Sequence, residues 1–172
     1  MEELIKSKIR EINDWPKPGV NFKDITPLLE DGETFKKVID EIAGQCENID
    51  KIVGIDARGF LLAAALGYKL GKGIAIVRKK GKLPAKTISQ EYALEYGSNV
   101  IEMHEDSIKP GERILVVDDV LATGGTMKAT IDLINKLGGR IVGIGFLVEL
   151  TFLNGREKLK GYNIKSLAKY EK

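Results

Sequence analysis

An apolar run in the second half of the chain ends on two adjacent carboxylates and a loop of small residues. Residues 114–117 are all apolar, Asp118 and Asp119 follow them, and residues 122–126 read Ala-Thr-Gly-Gly-Thr. Such a run is typical of a buried strand, and the two glycines let backbone N–H groups turn toward an anion. The carboxylates would repel a phosphate, but they can accept hydrogen bonds from vicinal hydroxyls, directly or through a divalent cation. The spacing therefore predicts a site for a ribose 5-phosphate.

Residues 116–126, VVDDVLATGGT, resemble the phosphoribosyl pyrophosphate (PRPP) signature of the type I phosphoribosyltransferases. The sequence of this segment is most similar to that of the family members that act on adenine. The resemblance implies that Asp118 and Asp119 hold the ribose hydroxyls. It also implies a loop that holds the 5-phosphate, made of Ala122, Thr123, Gly124, Gly125 and Thr126. Mg²⁺ is the implied cofactor, held mainly by PRPP, with direct contact to the two aspartates left open.

A second strand end carries a candidate for binding pyrophosphate. Residues 52–55 are apolar or glycine, and Asp56, Ala57, Arg58 and Gly59 follow them. This segment resembles the pyrophosphate loop of the same family. The resemblance implies that Arg58 pairs with pyrophosphate through its planar fork, within a backbone loop that includes Ala57 and Gly59. Relatives carry a non-proline cis peptide in this loop, which by position is Asp56–Ala57. Taken alone, these residues are more typical of a solvated arginine at a helix start.

A basic segment follows the next predicted strand. Residues 78–86 contain five cations together with Gly and Pro, and like charges at this density repel one another unless an anion is present. The segment RKKGKLPAKTIS resembles the closing loop of the family, so residues 79–93 are expected to form a flexible lid that excludes water. Arg78, Lys79 and Lys82 are then the implied pyrophosphate ligands. The alternative is a solvated loop, or a patch that contacts a nucleic-acid phosphate backbone.

The residues after the lid resemble another family signature, Tyr-Ala-Leu-Glu-Tyr-Gly over positions 92–97. Glu95 corresponds to the carboxylate that handles the proton of a purine ring nitrogen, and Tyr96 to the phenol that lines the base site. A carboxylate there is chemically reasonable, because the attacking nitrogen must lose a proton as its new bond forms. The alternative is that Glu95 is an ordinary surface residue on an amphipathic strand.

The proline-rich segment 15–29 resembles the hood that holds adenine in this family. Phe22 is expected to stack on the purine, and the main chain of Asn21 and Lys23 to recognise its edge. Leu150, after the longest apolar strand, would cover the opposite face. Many relatives have an apolar residue at position 21 and Arg at position 23, so base identity depends on recognition through the backbone. The alternative is that Phe22 and Leu150 are core residues.

The alternation of apolar runs with helical patterns indicates parallel strands joined by right-handed crossovers. The predicted strands cover residues 51–56, 73–78, 113–118, 141–148 and 164–167, with shorter β-like runs between 87 and 103. The fold class is therefore α/β. One domain over residues 1–172 is expected, with the type I phosphoribosyltransferase fold, in which helices flank a central, mainly parallel sheet.

The N-terminal part of the chain is expected to form a helix and the hood, over residues 1–33. Apolar residues recur there at helical spacing: Leu4, Ile5, Ile9 and Ile12. This periodicity predicts a helix that continues until shortly before Asp14, where a Pro- and Gly-rich loop begins.

Composition excludes several classes of protein. Lys and Arg number 27 against 25 Asp and Glu, and a net charge of +2 gives no general attraction to nucleic acid or to an anionic membrane. Cys46 is the only cysteine and His104 the only histidine, and both are interpreted as structural residues. Because residues 1–6 lack the apolar core of a signal peptide, the cytoplasm is the expected compartment. Relatives of this family are usually homodimers.

The resemblance extends from the hood to residues 155–159 and implies a reaction. The phosphoribosyl group of PRPP would be transferred to adenine, giving AMP and pyrophosphate in purine salvage. Glu95, Arg58, Asp118 and Asp119 are the implied catalytic residues. Two alternatives remain: a transferase of the same fold that acts on xanthine, hypoxanthine, guanine or orotate, and a non-catalytic regulator that senses PRPP. Such a regulator could dispense with Glu95 and the basic lid.

Overall fold

Seven strands form the main sheet of a computed structural model that describes residues 1–44, 47–94 and 97–172. In chain order the elements are α1 (Glu2–Ser7), β1 (Arg10–Ile12), β2 (Phe22–Asp24), α2 (Thr26–Glu30), α3 (Gly32–Ala43), β3 (Lys51–Ile55), α4 (Gly59–Leu70), β4 (Gly73–Lys79), β5 (Thr87–Ala93), β6 (Ser98–His104), β7 (Arg113–Leu121), α5 (Gly125–Lys136), β8 (Arg140–Leu150), two short 3-10 helices (Thr151–Leu153 and Gly155–Leu159) and β9 (Ile164–Tyr170). Cys46, Glu95 and Tyr96 lie outside the described residues.

The strand order of the main sheet is β5-β6-β4-β3-β7-β8-β9. The five strands from β4 to β9 in this order are parallel, and β5 and β6 extend the sheet in antiparallel fashion. This arrangement confirms the expected α/β fold with a mainly parallel sheet. The chain leaves β3 toward β4 on one side and returns to β7 on the other. Ligands of open α/β sheets bind at such a switch point, beyond the carboxyl ends of the strands.

Both faces of the sheet are covered, as the apolar run in β7 predicts. Leu115 and Val117 pack with α3 and α4 on one face, while Ile114 and Val116 pack with α5 on the other. Asp118 and Asp119 lie near the carboxyl end of this strand, which ends at Leu121. In the described ranges, no helix is long and apolar enough to span a membrane.

The predicted extent of the N-terminal helix is wrong. The helix ends at Ser7, and Arg10–Ile12 forms β1, which pairs in antiparallel fashion with Phe22–Asp24. Ile5 and Ile9 are buried as expected, but Ile12 lies opposite Phe22 in the ladder. The partner strand lies beyond the proline-rich turn, so a helical period in the local sequence carries no information about this pairing.

Regular structure occupies much of the segment predicted to be the lid. Lys79 is the last residue of β4, and Thr87–Ala93 forms β5, which pairs along its whole length with β6. Only the residues between these strands form an irregular loop. The β5 strand lies at the edge of the sheet. The flexibility of residues 79–93 stays a prediction.

Candidate active site

The two strand ends that sequence analysis selects lie side by side in the sheet. The strands β3 and β7 are parallel neighbours, and their carboxyl ends carry Arg58 and the acid pair of Asp118 and Asp119. Arg58 Nε lies 2.7 Å from Asp119 Oδ2. The peptide bond between Asp56 and Ala57 is cis, as expected from the resemblance. The switch point of the sheet therefore combines an acid pair with a guanidinium.

Burial dominates the electrostatics of the acid pair. It raises the pKa of Asp118 well above its ordinary value, and the adjacent charge of Asp119 raises it further. Burial also raises the pKa of Asp119, against the opposing effect of the Arg58 guanidinium. Asp118 Oδ1 accepts a hydrogen bond from the backbone N–H of Asp119 at 2.9 Å. Further hydrogen-bond donors or a cation would stabilise the ionised form of both carboxylates.

Asp119 Oδ2 is the atom best suited to a ligand. It is buried and accepts no hydrogen bond from the described residues, because its contact with Arg58 is an ion pair without hydrogen-bond geometry. Buried polar atoms of this kind are rare in folded proteins and call for an explanation. A ribose hydroxyl or a hard cation would satisfy this oxygen.

The acid pair fits a divalent cation that brings most of its own ligands. Oxygen atoms of carboxylates are the ligands Mg²⁺ prefers, and Asp118 and Asp119 supply them at one place. Across the described ranges there is no group of three or more His, Cys, Asp or Glu side chains that could hold a metal ion. Two carboxylates fill only part of an octahedral coordination shell, so a Mg²⁺ ion held by them would need further oxygen ligands.

The loop between β7 and α5 surrounds a small cavity of about 80 Å³. Its lining includes all five residues predicted to hold the 5-phosphate, namely Ala122, Thr123, Gly124, Gly125 and Thr126. Gly124 precedes the first residue of α5 with a φ of +78°, a conformation that glycine adopts without strain. The N-terminus of α5 and its free N–H groups thus border the cavity, which suits an anion.

Gly155 packs against the backbone of this loop, a role that sequence analysis missed. A Cβ atom on Gly155 would collide with the carbonyl oxygen of Ala122, and one on Gly124 would lie 2.5 Å from the carbonyl oxygen of Gly155. The two backbones touch because neither carries a side chain. The only signal in the sequence was the extension of the family resemblance to residues 155–159.

Two of the predicted pyrophosphate ligands, Arg78 and Lys79, line a cavity beside the carboxyl ends of β3 and β4. This cavity of about 110 Å³ is lined by Asp56, Arg78, Lys79, Tyr92 and Thr126, among others. Arg78 Nε donates to Asp56 Oδ2 at 3.1 Å, while the Thr126 hydroxyl donates to the Tyr92 hydroxyl at 3.1 Å.

Three other predicted ligands, Ala57, Gly59 and Lys82, are not among the residues that line this cavity. Lys82 exposes its side chain, and its carbonyl oxygen accepts a 3.4 Å hydrogen bond from Arg78. Ala57 is exposed, whereas Gly59 is buried against Asp118, whose Oδ1 would lie 2.8 Å from an added Cβ. Sequence analysis missed Tyr92, although it belongs to the signature segment that was used to select Glu95.

The hood and the end of β8 enclose a larger cavity next to the acid pair, with a volume of about 320 Å³. It is lined by Val20, Asn21, Phe22, Lys23, Arg58, Asp118, Asp119, Val120, Ala122 and Leu150. Phe22 and Leu150 thus line one cavity although they are 128 positions apart in the sequence. The volume lies in the usual range for small-molecule sites.

Phe22 is half-buried and makes contacts that orient its ring. The indole of Trp15 packs edge-on against it, with 4.5 Å between the centroids, and the Arg58 guanidinium lies 5.2 Å from its centroid. The interpretation of Phe22 as a core residue is therefore wrong. The side chain of Lys23, to which sequence analysis gave only a main-chain role, is buried against Glu11.

Comparison with known proteins gives a consistent result. Residues 28–169 match the family model of the phosphoribosyl transferase domain. The chain is 56% identical over 169 residues to the adenine phosphoribosyltransferase of Acetivibrio thermocellus, covering 96% of this chain and 99% of that protein. The crystal structure of adenine phosphoribosyltransferase from Thermoanaerobacter pseudethanolicus has a TM-score of 0.95 and 51% identity, with 99% and 100% of the two chains covered.

A solved structure with ligands is also similar. Adenine phosphoribosyltransferase from Saccharomyces cerevisiae, complexed with an imino-altritol bisphosphate and adenine, has a TM-score of 0.90 and 35% identity. The match covers 96% of this chain and 97% of that one.

Proposed function

Because this chain belongs to the phosphoribosyltransferase family, we infer that it transfers the 5-phosphoribosyl group of PRPP to adenine, giving AMP and pyrophosphate. The chain is an enzyme of the pentosyltransferase class. The bond from ribose C1 to pyrophosphate breaks, a bond from C1 to a ring nitrogen of adenine forms, and that nitrogen loses its proton. One observation carries the inference: Phe22 and Leu150 line the same cavity as Asp118 and Asp119. A flat base held between them lies next to the ribose site.

The acid pair acts on the ribose. Asp118 and Asp119 accept hydrogen bonds from the ribose hydroxyls, and their negative charge favours the oxocarbenium character that C1 develops as pyrophosphate leaves. The loop 122–126 anchors the 5-phosphate away from the reacting bond. Binding energy at that anchor orients C1 toward the base.

Cations stabilise the leaving group. Arg58, Arg78, Lys79 and Lys82 take up the growing charge of pyrophosphate, together with backbone N–H groups between Ala57 and Gly59. Arg78 and Lys79 already line the cavity beside the loop that follows β3. Asp118 and Asp119 would help to hold the Mg²⁺ that is bound with PRPP, and the metal would supply Lewis-acid stabilisation of the phosphate oxygens.

The roles proposed for the residues that contact adenine rest partly on the structure and partly on the sequence. Phe22 stacks on the ring, Leu150 covers its other face, and the main chain of Asn21 and Lys23 recognises its edge. Glu95 takes the proton from the ring nitrogen, and Tyr96 lines the base site. The last two roles rest on the family signature. Replacement Glu95→Gln should therefore slow the chemical step in single-turnover experiments, and an unchanged rate would remove Glu95 from the mechanism.

We further propose a cytoplasmic homodimer that works in purine salvage. Exposed apolar side chains support the dimer: Tyr68 on α4 is 93% exposed, and Leu61 and Ile74 are also exposed on α4 and the adjoining β4. Light scattering on the purified protein should give twice the mass of the chain, and a monomer at micromolar concentration would contradict this part of the proposal.

A base panel tests the proposed reaction. Adenine, guanine, hypoxanthine, xanthine and orotate are each incubated with PRPP and Mg²⁺, and both pyrophosphate and nucleotide are measured. We expect AMP from adenine and only background with the others, and no AMP from the variant Asp118→Asn with Asp119→Asn. Turnover of another base would favour a different transferase. Binding of PRPP without turnover of any base would favour a regulator.

A further inference from the structure

Lys23 is a buried cation in the hood. Only 4% of its surface is exposed, which is unusual because lysine is almost never fully buried unless it is paired. Its Nζ lies 2.7 Å from Glu11 Oε2 and 4.2 Å from the ring centroid of Tyr170. These contacts account for the burial, because one supplies an opposite charge and the other an aromatic face.

Asn21 binds the same carboxylate oxygen. Its Nδ2 donates to Glu11 Oε2 at 2.7 Å, so Asn21 and Lys23 converge on a single atom. Side chains two residues apart on an extended segment share a face, so the Phe22 ring between them has other contacts, namely Trp15 and Arg58. All three residues line the base cavity. Asn21 and Lys23 are thus parts of one interaction.

The contact between Lys23 and Tyr170 joins the two walls of the base cavity. Lys23 follows Phe22 directly in β2, while Tyr170 lies opposite Leu150 in the register of β8 and β9. The Tyr170 carbonyl also accepts a 3.0 Å hydrogen bond from the hydroxyl of Thr151, the residue after Leu150. A change in the separation of Lys23 and Tyr170 therefore changes the separation of the two residues that would enclose the base.

Glu11 connects β1 to β2, the strand of the hood. It lies opposite Lys23 in the antiparallel ladder of β1 and β2. Hydrogen bonds from Lys23 and Asn21 lower the pKa of Glu11, so it remains an anion at neutral pH. Lys6 also approaches the Tyr170 ring, at 5.1 Å, but its own partner is the exposed Glu2.

We propose that Glu11, Lys23 and Tyr170 form a clamp that sets the width of the adenine slot, which is the part of the base cavity between Phe22 and Leu150. They are positioning residues, since they act through Phe22 and Leu150. This role rests on the proposed function, because it assumes that the slot receives adenine. The clamp acts on the base and leaves the sites of the 5-phosphate and pyrophosphate untouched. It should therefore govern the KM for adenine and not the KM for PRPP.

Substitutions at the two ends of the clamp test it. Lys23→Met keeps an unbranched apolar stem and removes the charge, and Tyr170→Leu removes the aromatic face. Each should raise the KM for adenine about 10-fold, while the KM for PRPP changes by less than about twofold. Tyr170→Phe is the matched control, because it keeps the ring. Lys23→Arg keeps the charge, so its KM for adenine should stay near that of the wild type.

Trp15 provides a second measurement that does not depend on turnover. It is the only tryptophan of the chain, and its ring packs on Phe22, so its emission should change when AMP fills the slot. The midpoint of an AMP titration should shift in Lys23→Met and Tyr170→Leu by the same factor as the KM for adenine. Both variants should remain folded, which circular dichroism checks.

Two results would overturn the clamp while leaving the proposed function intact. One is wild-type use of adenine together with an unchanged adenine KM in both Lys23→Met and Tyr170→Leu. The other is an equal rise in the KM for adenine and for PRPP, which would indicate a general loss of structure. Failure of the wild type to use adenine in the base panel would instead contradict the proposed function itself.

Discussion

Arg58 and Asp119 form an ion pair across the switch point of the sheet, with Nε 2.7 Å from Oδ2. The Asp119 side chain is 8% exposed and that of Arg58 is 38% exposed, so the carboxylate is held in the interior while the guanidinium reaches the cavity. The same guanidinium lies 5.2 Å from the Phe22 ring centroid. Arg58 thus borders the sites proposed for ribose, pyrophosphate and base.

Replacement of Arg58 by Lys should impair catalysis more than binding of adenine. A lysine keeps the charge but loses the planar fork that contacts Asp119, Phe22 and an incoming phosphate together. We expect kcat/KM for PRPP to fall about 100-fold, the usual loss for one stabilising donor. Steady-state kinetics in both reaction directions measures this. Arg113→Lys, in the ion pair with Asp50, is the matched control and should keep full activity.

Replacement of Asp118 by Asn should stabilise the protein while abolishing turnover. Burial and the charge of Asp119 raise the pKa of Asp118, so its ionised form destabilises the folded state. This penalty is absent below the unfolded pKa of about 4, grows as the pH rises and is complete above the raised pKa. We expect a gain of about 1 kcal/mol at pH 7.5, or about 2–4 °C in Tm.

Calorimetry at several pH values checks this prediction. The gain of Asp118→Asn should shrink as the pH is lowered toward 4, because the wild-type carboxyl then becomes neutral. A variant less stable than the wild type at pH 7.5 would show that Asp118 contributes to folding through contacts other than its charge.

Glu149 should show the opposite pH dependence. Burial would raise the pKa of Glu149, but two hydrogen bonds from Arg156, at 2.6 and 2.8 Å, outweigh it and hold the pKa below its ordinary value. Its stabilising contribution is present above the unfolded pKa of about 4.3 and is lost as the pH falls through the folded pKa. Glu149→Gln should cost about 1–3 kcal/mol at pH 7, less than a fully buried pair because Arg156 is 39% exposed.

Urea denaturation at pH 7 and pH 4 measures this difference. The destabilisation should decrease at the lower pH, where the wild-type carboxyl begins to be protonated. Glu157→Gln is the control, because Glu157 pairs with Lys160 on the surface and should change stability by no more than about 0.5 kcal/mol. Equal losses from both variants would contradict the importance of burial at Glu149.

Replacement of Gly155 by Ala should damage the phosphate loop. The new Cβ would collide with the carbonyl oxygen of Ala122 and lie 3.1 Å from the backbone nitrogen of Gly124, so the loop must shift. Displacements of about 1 Å at such a site can cost about 100-fold in rate. We expect a large rise in the KM for PRPP with a smaller change for adenine. Gly143→Ala is the control, since its nearest contact is an ordinary 3.5 Å to Leu115 Cδ1.

The local sequence was sufficient to predict the strand, loop and helix around the acid pair. Apolar residues buried on both faces, two carboxylates and two glycines lie within thirteen consecutive positions, and each property is a property of neighbouring residues. The observed bounds are accordingly close to the predicted ones. The helix α5 begins at Gly125, one residue before its predicted start, and β7 ends three residues after Asp118, its predicted end.

Contacts between distant parts of the chain were decided by the tertiary structure. Three features show this: β1 pairs with β2 instead of prolonging α1, Gly155 supports the loop at Ala122, and Lys23 is buried between Glu11 and Tyr170. No sequence periodicity predicts such contacts, because their energy comes from partners as far apart as Lys23 and Tyr170, 147 positions along the chain. The sequence by itself determined the ribose-phosphate site and the fold class, since local burial and glycine chemistry suffice for both. Only the packing of β9 and the hood against each other decided the walls of the base slot.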